Sequence, residues 1–104
     1  RFISLHPEDI PDGILAGNDI SAIGAMRALK ESGISVPQEV SVIGFDDVEI
    51  AQYFQPSLTT TRNPIGRQGV LAVKQLVGMI SNNDQGQSEV LDGQLVVRNS
   101  TTIK

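Results

Sequence analysis

A chain of 104 residues can enclose one small core and little more. Twelve acidic against 8 basic side chains leave a net charge of −4, and with 4% aromatics and no Lys/Arg cluster the chain itself offers no surface for phosphate backbones or stacked bases. The absence of cysteine excludes disulfides, thiolate metal sites and a Cys nucleophile, and no apolar run nears the ~18 residues of a membrane span.

The chain opens on Arg1, shows no signal peptide, and reads as a fragment of a longer protein. Residues 1–11 are mixed in character and end at Pro11, as a loop would. Asp12-Gly13 signals a turn, and Ile14 to Ala16 then reads as a short strand ending at Gly17. Asn18 and Asp19 are both competent helix N-caps. Apolar residues at Ile20, Ile23, Met26 and Leu29 follow at helical spacing, with Lys30 in the last turn and Gly33 as the stop. Val40 to Phe45 is a nearly continuous apolar run, the pattern of a parallel strand covered on both faces. Strand, helix and strand make a βαβ unit with a right-handed crossover.

After Asp46-Asp47, "VEIAQYF" suits a turn or two of helix halted near Pro56. "LTTTR" (58–62) is β-branched and extended. Asn63-Pro64 reads as an N-cap with Pro in the first helical position. Ile65, Ala72, Leu76 and Ile80 then lie along one side of a helix to about Ser81, widened by Val70, Val73 and Val77. So wide a stripe needs cover, from a second copy of the chain or by folding back on the βαβ unit. A polar loop follows, and Asp92-Gly93 permits either a hairpin or a bulge in one long strand.

Two parallel strands thus end in "GND" and "GFDD", and ligands of open α/β sheets bind outside the carboxyl ends of strands. Asn18 offers a donor and an acceptor, while an ionised Asp46 or Asp47 offers acceptors only. Amide plus carboxylate suits a sugar, a polyhydroxylated ring or an amine-bearing base, and suits an anion poorly. The same residues also read more simply, Asn18 and Asp19 as helix caps and Asp46-Asp47 as a solvated turn. A divalent metal held by Asp46 and Asp47 lacks an evident third ligand, and His6 stands alone in a loop-like stretch. No nucleophile elbow, GxGxxG or P-loop is present.

The ordered set "GNDISAIGAMRALKESGISVPQEVSVIGFDD", "PSLTTTRNPIGRQG" and "LVVRNST" resembles the carboxyl-terminal part of the effector-binding domain of the LacI/GalR transcription regulators, from about Pro11 to Thr101. The resemblance implies an α/β class: a parallel βαβ sheet core belonging to a type I periplasmic-binding-protein-like fold, here a partial domain. It implies that residues 11–57 are the βαβ unit of one subdomain, 58–62 a crossover, 63–90 a helix of the other subdomain, and 91–104 the return crossover and tail. It carries ligand contacts onto Asn18, Asp46 and Asn63, and dimer contacts onto Ile23, Arg27, Tyr53 and Phe54. Two aromatics beside Gln55-Pro56 fit an interface better than a core. Asp19 and Asp47 match commonly acidic positions and serve as caps more than as ligands. The implied protein is a cytoplasmic homodimer that binds a sugar or purine effector, needs no cofactor, catalyses nothing, and meets operator DNA only through a separate amino-terminal domain. The alternative is an extracytoplasmic sugar-binding protein of a transport system. One departure is "VLDGQL" (90–95), where the family usually has a short Pro-containing stretch.

Overall fold

The computed structural model describes residues 6–103. Residues 1–5 of the expected leading loop lie outside them, and Pro7–Asp9 form a single 3-10 turn. The chain divides into two units, one running to Arg62 and resuming at Gln94, the other Asn63–Gly93.

The first unit is built on β1 (Gly13–Leu15), α1 (Asp19–Glu31) and β2 (Ser41–Ile43). β1 and β2 are parallel, with Gly13 opposite Ser41, Ile14 opposite Val42 and Leu15 opposite Ile43. Pairing continues past the named strands through Ala16 N–H to Ile43 O (2.9 Å) and Asp19 N–H to Phe45 O (3.0 Å). The helix starts at Asn18, whose backbone is still extended and whose Oδ1 accepts Ser21 N–H at 2.8 Å. It stops at Ser32 and Gly33; Gly33 has φ +75° and donates its N–H to Lys30 O, a conformation glycine adopts without steric cost.

The buried face of α1 is Ala22, Met26 and Leu29, packed with Val40, Val42, Ala51 and Leu58. This corrects the expected stripe: Ile20 is exposed and Ile23 only half-buried. The sheet takes the face carrying small Ala22, which lets the helix approach closely. The expectation of a sheet covered on both faces also fails, since Leu15 on β1 is 79% exposed. On β2 the same outer face is half-buried at Ser41 and Ile43.

After β2 the chain makes one 3-10 turn, Glu49–Gln52, which buries Ala51. It then runs beside β2, with Gly44 N–H donating to Thr59 O and Asp46 N–H to Thr61 O, both at 2.9 Å. β3 (Thr60–Arg62) pairs antiparallel with β4 (Gln94–Val96), Thr60 opposite Val96 and Arg62 opposite Gln94. Neither the hairpin nor the long bulged strand forms, because residues 84–93 carry no strand and β4 takes its partner from β3. Beyond β4 the tail wedges between β2 and the lead into β3. Buried Ser100 accepts Thr59 N–H at 2.8 Å, donates to Val42 O, and receives Val42 N–H on its own carbonyl.

The second unit is α2 (Ile65–Asn82) and the polar segment after it. Its cap position is Pro64, not Asn63, and no side chain caps the helix; Pro64 has ψ 64°, so the helix begins one residue later than the Asn-Pro pair suggests. Asn83 ends it in the left-handed region that Asn tolerates. No residue of α2 is buried, and the stripe of Ile65, Val73, Leu76 and Ile80 is exposed.

Candidate functional site

The carboxyl ends of β1, β2 and β3 form one lip. Asp19 N–H bonds to Phe45 O, and the two residues flanking that bond are Asn18 and Asp46. The structure therefore brings Asn18 and Asp46 to the same edge, Asn18 exposed and Asp46 half-buried. The helix cap occupies one lone pair of Asn18 Oδ1. What the amide has left for a ligand is its two Nδ2 hydrogens and a second lone pair. Asp46, when ionised, accepts only. Asn63 opens the second unit, its carbonyl accepting Ile65 N–H, and it is not among the residues the first unit gathers.

Asp19 and Asp47, one residue on from each, do structural work. Asp19 is fully buried; Oδ1 receives the Thr60 hydroxyl and Oδ2 receives Val48 N–H at 2.8 Å. It thus ties the start of α1 to β3 and to the turn after β2. Gly44 is the complement of this placement. A Cβ there would collide with Asp19 Oδ1 and approach Leu58 Cδ2 to 2.8 Å. Sequence reasoning placed Asp19 as a cap, which it is not; the available signal was the β-branched Thr run, which supplies the hydroxyl a buried carboxylate needs.

Asp46 and Asp47 both have positive φ, 114° and 54°. Such backbone persists in non-glycine residues only where neighbours over-determine it. Here Asp46 N–H bonds to Thr61 O and Asp47 N–H to Thr60 Oγ1 at 3.3 Å. The Asp47 carboxylate then takes Arg62 Nε on Oδ2 at 2.7 Å and Arg98 Nη2 on Oδ1 at 2.8 Å. Its side chain is 10% exposed and that of Arg98 15%. Burial alone would push this carboxyl up, but the hydrogen bonds and charges of Arg62 and Arg98 outweigh it and hold the carboxyl below its ordinary value. This is why a carboxylate is tolerated at the mouth of an apolar strand. Among the described residues, no three His, Asp or Glu side chains gather as a metal site would require.

The remaining expected residues also belong to the first unit. Ile23 packs half-buried against the core. Arg27 is exposed and pairs with Glu31 one helical turn on, at 3.0 Å. Tyr53 is 68% exposed, whereas Phe54 packs against the core cluster, so the aromatic pair divides between surface and interior. Phe54, Met26, Arg27, Ile34, Val36 and Pro56 line an open hollow of about 710 Å³ beside α1.

A parallel βαβ unit whose strand ends carry polar side chains at one edge, with two chain connections leading to a second unit, is an α/β module. The sequence matches the periplasmic binding protein-like domain over residues 2–101. Among relatives, the lactose operon repressor of Rhizobium radiobacter is 38% identical over 90 residues, covering 86% of this chain and 80% of that protein. The probable HTH-type transcriptional repressor ExuR of Bacillus subtilis is 37% identical over 91 residues, 86% of this chain. The chain spans 27% of ExuR's length, about a quarter. A solved structure of the Lac repressor dimer bound to operator and the anti-inducer ONPF matches with a TM-score of 0.83 at 34% identity, over 90% of this chain and 33% of that one. The chain belongs to the periplasmic binding protein-like family and, within it, to the LacI/GalR regulators. No helix among the described residues is long and apolar enough to cross a membrane.

Proposed function

We propose that this chain is the effector-binding and dimerising portion of a LacI/GalR-type transcription regulator that works in the cytoplasm and catalyses no reaction. The observation that carries this reading is the shared lip, where Asn18 and Asp46 flank the Asp19–Phe45 backbone bond. An effector hydroxyl can accept from Asn18 Nδ2 while a neighbouring hydroxyl donates to Asp46, which favours a sugar; a purine offers the same pairing through a ring nitrogen and an N–H. Asn63, first residue of the second unit, is the third residue we assign to the effector. The effector acts by binding one arrangement of the two units more tightly than the other, and that difference in affinity is what reaches operator DNA through a separate DNA-binding domain. The homodimer forms through the outer face of α1 and the loop before β3, with Ile23, Arg27, Tyr53 and Phe54 in the contact.

The test is calorimetry on the intact regulator, after a thermal-shift screen of mono- and disaccharides and purine bases. Asp46→Asn is the informative change, because Asn also tolerates the positive φ that Ala would strain. Loss of a charge-assisted bond worth about 1.5–3 kcal/mol predicts roughly 10- to 150-fold weaker binding with operator affinity unchanged. Wild-type affinity in Asp46→Asn would refute the assigned site.

A further inference from the structure

The two connections between the units leave the first unit as a pair. β3 runs out through Arg62, its last residue, and β4 runs back in from Gln94, with Arg62 directly opposite Gln94. One side chain holds the last residue of β3 and the segment just after β4. Asp47 binds Arg62 through Oδ2 and Arg98, two residues beyond β4, through Oδ1. Arg98 is fastened further by Nη1 to Leu58 O at 3.0 Å and by its N–H to Thr59 Oγ1 at 2.9 Å, so it cannot follow the ribbon freely. Asp47 sits on a strained turn that Thr60 and Thr61 of the same ribbon impose.

We propose that Asp47 is the positioning residue of the hinge, fixing the direction in which both connections leave the first unit. Two bonds from one carboxylate restrain the end of β3 and the segment just after β4 at a single point, and neither can swing without stretching a charge-assisted bond. On the reading proposed above for Asp46, adjacent residues on one strained turn serve ligand and hinge respectively. The restraint itself stands whether or not Asp46 holds an effector.

The test measures the ligand-free intact regulator. Nitroxides at Gln38→Cys in the first unit and Lys74→Cys in the second, diluted with unlabelled protein, give an inter-unit distance distribution by double electron–electron resonance. Asp47→Asn is expected to widen that distribution at least twofold, and Asp47→Glu, which keeps the charge, to retain most of the narrow one. Arg62→Gln, which removes one arm at a partly exposed residue, is expected to fall between. A merely structural Asp47 would lower the melting temperature of Asp47→Asn without widening the folded population, and that result overturns the proposal. Should Asp47→Asn fail to fold, an unchanged width in Arg62→Gln overturns it instead. Because no effector is present, failure here is distinct from failure of the Asp46 calorimetry.

Discussion

The two units solve the same problem with opposite success. In the first, seven apolar residues are buried and the polar groups among them, Asp19, Thr59, Thr60 and Ser100, are all hydrogen-bonded. In the second, an 18-residue helix carries a longer and more apolar stripe than α1, yet none of its residues is buried. Amphipathic patterning is therefore not what makes a core. α1 has two strands and a turn to pack against, and α2 lacks a sheet of its own. Burying an apolar side chain is worth about 1.5–3 kcal/mol, so α2 retains a large unspent drive toward some other surface.

The largest expected effect sharpens this contrast. In the 104-residue chain, Leu29→Ala should lower the unfolding free energy by about 2–5 kcal/mol, and Leu76→Ala, although the same exchange, by no more than about 0.5 kcal/mol. Urea titration measures both. A Leu76 cost matching that of Leu29 would mean that the stripe of α2 is covered in solution and that the contrast is false.

Asp19→Ala should cost about 3 kcal/mol, because Val48 N–H and the buried Thr60 hydroxyl both lose their side-chain acceptor. Asp19→Asn should recover part of it. A loss under about 1 kcal/mol in urea titration would show that the first unit does not depend on its polar ties.

Asn18→Ala should cost about 1 kcal/mol through the lost cap on Ser21 N–H, and Asn18→Asp very little. Equal losses in the two variants would separate Asn18 from the helix it begins.

The smallest effect is confined to acid. Asp47 has its folded carboxyl held below its ordinary value by Arg62 and Arg98. Its contribution is complete above the unfolded carboxyl pKa of about 3.9 and is lost as pH falls through the lower folded value. The stability difference between wild type and Asp47→Asn should thus be constant from pH 7 to about pH 5 and shrink below pH 4. A difference that grows in acid would contradict the ion pairs.

The legible features were local ones. Strand, helix and strand could be read between Asp12 and Phe45 because cap, periodicity and stop all agreed, and Gly33 stands where a left-handed residue is required. The lip was legible for the same reason, since both strands end on polar residues that topology must bring to one edge. Less could be read where a partner lies far along the chain. Nothing near Asp47 announces Arg98, 51 positions later, and nothing near Val42 announces Ser100, 58 positions later. The phase of α1 was misjudged because spacing alone does not say which of two adjacent apolar faces meets the sheet.

The amino-acid order by itself determined the βαβ unit, the polar residues at its strand ends and the family, all of which rest on short-range propensity and an ordered set of motifs. Tertiary structure alone decided which side chains tie distant segments together. Asp19 and Asp47 are consumed by Thr60, Val48, Arg62 and Arg98, and Asn18 and Asp46 stand at the lip. The reason is that a buried charge keeps its ionised form only where the fold delivers donors to it, and those donors come from segments that adjoin it in space but not in sequence.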